Sequence, residues 1–126
     1  MSQVILCDAR PDAPEGPRIA ASLRHLGVAV EVCPDGPKFL EAAATDSPSV
    51  AIYALGADFE TDLGILRLLR RMRPEIEIVL LADQSTLPAR VAVQPLRPMF
   101  CSVGPLDADE VTGVVRAALR RRERFG

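Results

Sequence analysis

Residues 50–55 (VAIYAL) decide the fold, because they form a short apolar run that contains no charge. Ser47-Pro48 precedes this run and Gly56 follows it, and both are breaks in a helical pattern. A bounded run of this length is typical of a strand that is buried on both faces, as strands are in parallel sheets. The stretch therefore predicts the third and central strand of an α/β domain.

Apolar runs of the same kind lie on both sides of this stretch. Four further strands are predicted at residues 3–8, 28–33, 76–82 and 100–103. Amphipathic helices are predicted between them, with these inward residues: Ile19, Ala20, Leu23 and Leu26; Phe39, Leu40 and Ala43; Leu63, Leu66, Leu69 and Met72; Val111, Val114, Val115, Ala118 and Leu119. Alternating strands and helices predict a doubly wound parallel sheet with helices on both faces.

The helix boundaries follow from residues with known capping roles. Pro17 suits a first helical turn and Gly27 a helix end, while Asp107 with Glu110 predicts a capping box for the last helix. The fourth helix is predicted to be short or distorted, at residues 87–93, because three prolines interrupt this part of the chain: Pro88, Pro95 and Pro98.

Composition excludes several classes of function. The chain has 126 residues and a net charge of −2, so we expect one domain, residues 1–126, without direct contact to nucleic acid. It lacks an apolar run of the roughly 20 residues that a membrane span requires, and its start lacks the pattern of a secretory signal. We expect a cytoplasmic protein that does not contact a membrane.

The sequence does not predict a cofactor or a metal site. Cys7, Cys33 and Cys101 are far apart in sequence, and the single histidine, His25, cannot complete a zinc ligand set. We interpret the cysteines as buried thiols in a reducing compartment, with a redox-sensing Cys7 beside Asp8 as the alternative. Neither a glycine-rich phosphate loop nor a nucleophile with an adjacent base is recognisable, so an enzyme is not expected.

The chain resembles bacterial response-regulator receiver domains over nearly its full length. The resemblance rests on these segments: residues 4–8 with Pro11; Asp35-Gly36; residues 48–53; residues 63–73; and Val103-Gly104-Pro105 with Asp107. It implies a flavodoxin-like (CheY-like) sheet of five parallel strands in the order 2-1-3-4-5. Ligands of such sheets bind beyond the carboxyl ends of the strands.

The resemblance also implies a phosphorylation pocket, and this chain lacks most of its functional groups. The family has an acidic pair for Mg²⁺ after the first strand, reduced here to Asp8 with Ala9. The aspartate that accepts the phosphoryl group corresponds to Ala54, the hydroxyl residue to Ala82 and the lysine to Gly104. The switch aromatic of the fifth strand corresponds to Cys101. The pocket is therefore predicted to be a vestige.

Nearby residues could in principle replace the missing groups. Asp58, Asp62 and Asp83 are candidate acceptors or metal ligands, and Ser85 and Thr86 candidate hydroxyls. All five lie beyond predicted strand ends, where solvated polar residues are expected, so we interpret them as loop residues. An active acceptor at Asp58 or Asp62 remains the less favoured alternative.

The leading hypothesis is a degenerate pseudo-receiver that cannot be phosphorylated and works as an interaction or dimerisation module in signal transduction or transcription regulation. Its expected partner is a protein or a second copy, bound through the fourth helix, fifth strand and fifth helix. Arg116, Arg120 and Glu123 are spaced to share one exposed stripe there. A plain solvated helix is the alternative for that stripe, and a sensor of small ligands in the emptied crevice is the alternative function.

The last residues of the chain allow two interpretations. Residues 116–126 are the basic end of the last helix and carry all of its arginines. They could be the end of a stand-alone domain, or the start of a connection to an output domain beyond residue 126.

Overall fold

The computed structural model describes residues 3–8, 15–56, 58–82, 87–103 and 107–125; within them, it does not describe the side chains of Glu15, Leu87, Val103 and 122–125. Strands and helices alternate, with a 3₁₀ turn at Gln94–Leu96 before the last strand. The elements are β1 (Val4–Asp8), α1 (Glu15–His25), β2 (Val30–Cys33), α2 (Gly36–Asp46), β3 (Val50–Ala54), α3 (Phe59–Met72), β4 (Glu77–Ala82), α4 (Leu87–Val93), β5 (Phe100–Val103) and α5 (Ala108–Phe125).

The strands form one parallel sheet in the order β2-β1-β3-β4-β5, as predicted. The apolar run from which the fold was predicted is the central strand, and all five residues of β3 are buried. Its neighbours are β1 and β4, in a register that pairs Val4 and Glu77 with Val50. The five carboxyl ends therefore share one edge of the sheet.

Helices cover both faces of the sheet, and each face has its own core. On one face α2, α3 and the end of α4 pack around Phe39, Tyr53 and Leu66. On the other face α1 and α5 pack around Ile19, Ile52 and other aliphatic residues. The doubly wound prediction is confirmed, and α4 is short, as its prolines predicted, with seven residues.

Local sequence explains where the helices begin and end. Asp35 accepts a hydrogen bond from the Lys38 amide and caps α2, and Asp107 caps α5 through the Asp109 amide at 3.0 Å. At the end of α1, Gly27 has a φ of 85° and its amide bonds to the Arg24 carbonyl. This is a Schellman motif, in which a left-handed residue satisfies the last carbonyls of a helix.

Two residues predicted to face the core are exposed instead. Leu26 is 47 % exposed, because α1 ends at His25 and the chain turns away at Gly27. Met72 is 41 % exposed. It continues a spacing of three from Leu69, and such a spacing drifts around a helix by about 60° per step. The stripe therefore leaves the buried face before α3 ends.

Gly16 of α1 lies against the end of β1 with no room for a side chain, and it gives a test of this packing. A Cβ at Gly16 would lie 2.9 Å from the Cβ of Asp8, whereas one at Gly113 in α5 would have no atom within 4 Å. We expect Gly16→Ala to destabilise the domain by about 1–3 kcal/mol through overpacking. The control Gly113→Ala should stabilise it by about 0.5–1 kcal/mol, because alanine favours helix. Urea unfolding measures both, and equal stability of the two variants would contradict the packing.

Candidate functional site

The strand ends place the residues of the predicted pocket side by side. Asp8 is the register partner of Ala54, and the end of β4 at Ala82 lies beyond Leu81, which pairs with Ala54. Ala54 and Ala82 are only 1 % and 4 % exposed. Their methyl groups have no nucleophilic or metal-binding atom, so these two positions are closed to phosphoryl chemistry. Ala9 and Gly104 lie outside the described residues.

The prediction for Asp62 was wrong. Asp62 does not lie in a loop but in the first turn of α3, and it is buried. Its Oδ1 accepts a hydrogen bond of 2.6 Å from the Tyr53 hydroxyl, and its Oδ2 accepts one of 2.8 Å from the Gly56 amide. One carboxylate thus joins the end of β3, the segment after it and the start of α3.

The sequence did contain a signal for this burial. Asp62 precedes Leu66 by four residues and Leu69 by seven, so it lies on the buried stripe of α3. Tyr53 is the only phenol in the chain and lies inside a buried strand, where a hydroxyl needs a partner. Together, these two features predict a buried pair.

The phenol of Tyr53 is fixed on its other side by an aromatic contact. Its ring meets that of Phe39 edge to face, with the centroids 5.3 Å apart. Burial, followed by the hydrogen bond to Asp62, raises the pKa of Tyr53. The phenol therefore stays protonated and remains a donor to the carboxylate.

Asp58, the other candidate acceptor, is the N-cap of α3. It is exposed and accepts hydrogen bonds from the Thr61 hydroxyl and the Thr61 amide. These two bonds lower the pKa of Asp58. Its position agrees with the solvated reading, and the capping role accounts for its contacts. Asp83, Ser85 and Thr86 lie outside the described residues.

Cys7 and Cys33 are far apart in sequence but are neighbours in the folded domain. They are register partners on β1 and β2, and both are free and buried. Burial, then the neighbouring Cys33 and the carboxylate of Asp62, raise the pKa of Cys7 to about 12. Burial and the nearby Glu31 raise the pKa of Cys33 to about 11. Because the thiolate is the reactive form, this disfavours a redox-sensing Cys7.

The described residues do not form a metal centre. Within the described part of the chain, His, Cys, Asp and Glu do not gather in any group of three that could hold a metal ion.

The residues predicted for the interaction surface lie on α5 and β5. Arg116 and Arg120 are exposed on α5, whereas the side chain of Glu123 lies outside the described residues. Cys101, at the switch-aromatic position of β5, is half-buried, and burial raises its pKa. Val91 on α4 is exposed. The described residues thus present basic side chains on α5, and on α4 the exposed Arg90 beside the exposed Val91.

Arg70 fixes the segment that leads from α4 to β5. Its guanidinium donates to the Leu96 carbonyl at 2.8 Å, to the Ile76 carbonyl at 2.7 Å and to the Arg97 carbonyl at 3.3 Å. Burial, followed by the charge of Arg97, lowers the pKa of Arg70. This residue of α3 therefore holds the 3₁₀ turn in place beside the sheet.

The Asp62 contacts make a prediction for stability. Asp62→Ala leaves the Tyr53 hydroxyl and the Gly56 amide without their acceptor, so it should cost about 2–4 kcal/mol of unfolding free energy. Tyr53→Phe removes one hydrogen bond and should cost about 1–2 kcal/mol. The control is Glu60→Ala, an exposed carboxylate in the same turn, which should change stability little. Urea unfolding measures all three, and equal effects of Asp62→Ala and Glu60→Ala would contradict the contacts.

The raised thiol pKa values make a prediction for pH. The pKa of Cys7 rises from 9.0 to about 12, and that of Cys33 from 9.0 to about 11. Above pH 9 the unfolded chain releases thiol protons that the folded chain keeps, so stability is full below pH 9 and falls as the pH rises toward 12. Chemical unfolding across this range should show a steep loss for the native sequence and a shallower one for Cys7→Ala/Cys33→Ala. An equally steep loss in both would contradict the assignment.

Comparison with known proteins identifies the fold by structure and not by sequence. No protein-family model and no curated protein match the chain. A CheY-like response regulator receiver domain protein from Methanospirillum hungatei matches with a TM-score of 0.85 and 15 % identity, over 100 % of this chain and 99 % of that one. A signal receiver domain of an HD domain-containing protein from Pseudomonas fluorescens matches with a TM-score of 0.83 and 17 % identity, over 98 % of both chains.

A third solved structure is a response regulator from Burkholderia pseudomallei with a phosphorylated aspartic acid, a calcium ion and citrate. It matches with a TM-score of 0.75 and 14 % identity, over 100 % of this chain and 74 % of that one. Because all three identities are low, the likeness concerns the fold. The chain has the CheY-like fold of response-regulator receiver domains.

Proposed function

We propose that this chain is a pseudo-receiver: a receiver-fold module that is not an enzyme, is not phosphorylated, and acts through contacts with proteins in signal transduction or transcription regulation. The observation that carries the proposal is the burial of Ala54 and Ala82 at the ends of β3 and β4. A methyl group cannot form an acyl phosphate, and a buried methyl group leaves little room for a phosphoryl group beside it.

The nearest buried carboxylate does not provide a substitute acceptor. Both oxygens of Asp62 accept hydrogen bonds, from the Tyr53 hydroxyl and the Gly56 amide. Asp62 is also buried in the first turn of α3, so a phosphoryl donor could reach this carboxylate only by opening the core. The Burkholderia pseudomallei protein carries a phosphorylated aspartic acid, whereas the corresponding position in this chain is Ala54 by the resemblance described above.

The same contacts support a domain that remains in one conformational state. In receivers, phosphorylation shifts an equilibrium that is read out at the face formed by α4, β5 and α5. Here the Asp62–Gly56 hydrogen bond holds the segment after β3, and Arg70 holds the turn after α4. A permanently formed surface suits a module whose partner, and not a phosphoryl group, provides the regulation.

We propose that the partner binds at the α4, β5 and α5 face, and that it is another protein or a second copy of the chain. Arg116 and Arg120 present exposed positive charge there, and Val91 presents apolar surface. A surface of this kind favours an acidic partner with an apolar contact, since complementary charge speeds encounter and fixes register. In the described part of the chain, the helices are too short or too polar to cross a membrane. We propose the cytoplasm as the place where the module works.

The proposal predicts that the protein does not react with acetyl phosphate. After incubation with acetyl phosphate and Mg²⁺, the intact mass should show no phosphate adduct, because Ala54 at the end of β3 has no carboxylate that could accept the phosphoryl group. A receiver with an intact pocket, treated in parallel, shows that the reagent works. An adduct mapped to Asp58 or Asp62 would overturn the proposal.

Charge reversal tests the proposed surface. Arg116→Glu/Arg120→Glu should weaken association at the α4, β5 and α5 face by about tenfold or more. Arg18→Glu/Lys38→Glu makes the same change of net charge on exposed residues of α1 and α2, and should have no effect. Sedimentation of the purified protein over a concentration series measures self-association. A self-association equally strong in both double variants would rule out this face as its site.

A further inference from the structure

The solvent-facing side of α3 carries two exposed apolar side chains, Leu68 and Met72, about one helical turn apart. Leu68 and Met72 are 48 % and 41 % exposed. With Thr61 and Ile65 they are spaced by four, three and four residues, which is the seam pattern of paired helices. Ile65 is half-buried and also packs on the core, and the Thr61 hydroxyl donates to Asp58, so Leu68 and Met72 are the exposed apolar members of this stripe. The stripe spans about 16 Å, or three helical turns. The buried face of α3 uses other residues, namely Asp62, Leu63, Leu66 and Leu69.

Gly64 lies beside this stripe and leaves a notch in the helix surface. A Cβ at Gly64 would have no atom within 4 Å, so nothing inside the domain requires a glycine there. In the interior of a helix, glycine is less favourable than alanine by about 1 kcal/mol. A leucine on a facing helix could pack into this notch, beside the exposed Leu68.

The two ends of α3 carry opposite charges. Acidic residues lie in its first turn and basic residues in its last turn. Glu60 is exposed, and the positions three and four residues after it are Leu63 and Gly64, so no basic side chain follows it at ion-pair spacing. Arg71 is exposed, and the positions three and four residues before it are Leu68 and Arg67. Within α3, neither charge has an opposite charge at these spacings; the acidic residue nearest to Arg71 in sequence is Glu75, which follows the end of the helix.

We propose that the outer face of α3 binds the same face of a second copy, with the two helices antiparallel. Suppose that the two-fold axis crosses the outer face of α3 at the level of residue 66. Gly64 of one copy then faces Leu68 of the other, and Glu60 of one copy lies beside Arg71 of the other. Each contact then occurs twice, as an isologous interface requires. A parallel arrangement would place Arg67 and Arg71 against their own copies, and like charges repel.

This contact is separate from the surface of the proposed function. The outer face of α3 lies over the core that contains Tyr53, whereas α5 packs on the other face of the sheet. A chain that uses both surfaces would form assemblies larger than a dimer. A chain that uses only the α3 face would form a dimer and leave the α5 face free for a partner protein.

The first test is Leu68→Glu, measured by sedimentation over a concentration series. It should weaken self-association by about tenfold or more, because it places charge at the centre of the seam. The matched control is Leu26→Glu, at a leucine that is 47 % exposed on the other face, and it should sediment like the native sequence. Circular dichroism checks that both variants are folded. A monomeric native protein, or equal masses for Leu68→Glu and the native sequence, would overturn the proposal.

The second test uses a charge swap that keeps Leu68 unchanged. Glu60→Arg alone and Arg71→Glu alone should each weaken the contact, since each leaves like charges facing one another. The double variant Glu60→Arg/Arg71→Glu should restore it to within about threefold of the native affinity, because the antiparallel pairing is rebuilt with reversed sign. Additive weakening in the double variant would overturn the antiparallel arrangement.

The two surfaces are distinguished by combining variants. If only the α3 contact exists, Leu68→Glu gives a monomer and Arg116→Glu/Arg120→Glu leaves the dimer intact. If both contacts exist, each of these variants leaves a dimer and their combination gives a monomer. A dimer that survives Leu68→Glu but is lost on reversing Arg116 and Arg120 supports the proposed function and overturns the α3 contact.

Discussion

The carboxylate of Asp62 lies between the Tyr53 hydroxyl and the Gly56 amide, at 2.6 and 2.8 Å, and much of this end of the fold depends on it. Removing a carboxylate from water is costly unless its oxygens are hydrogen-bonded. Here the two partners come from the end of β3 and from the segment that follows it, so satisfying the charge also fixes the start of α3. The phenol in turn packs against Phe39 of α2.

This buried charge also sets the chemistry of its neighbours. It contributes to the raised pKa of Cys7 and, through its hydrogen bond, to that of Tyr53. The groups around it are therefore held neutral, and the thiols are poor nucleophiles. The strand ends beside them contribute Ala54 and Ala82, which have no reactive atoms. The methyl groups of Ala54 and Ala82 and the neutral groups around Asp62 are the physical basis of the proposed pseudo-receiver.

Much of the fold could be predicted from the sequence, because the signals are local. The central strand followed from an uncharged apolar run, and the start of α5 and the end of α1 followed from Asp107 and Gly27. Met72 was misplaced because a spacing of three, repeated from Leu63, drifts around the helix, so the stripe leaves the buried face before α3 ends. The positions of Ala54 and Ala82 at strand ends could be predicted because both strands end in continuous apolar runs.

The site itself could be predicted only in part, because its key contacts join distant parts of the chain. Cys7 and Cys33 meet only through the register of β1 with β2, which the sequence does not specify. Asp62 was predicted to be a loop residue because it follows a strand. Its spacing to Leu66 and Leu69, however, places it on the buried face of α3. An acidic residue that shares a helical stripe with core leucines should be treated as a candidate buried charge.

The central claim is that the crevice at the strand ends no longer binds a phosphoryl group. Amide NMR of the chain, titrated with Mg²⁺ and beryllofluoride as a mimic of that group, tests this most directly. The account predicts that the signals of Asp8, Ala54, Gly56 and Ala82 stay unchanged through the titration. Saturable shifts clustered at these residues would show that the pocket still binds, and would contradict the account.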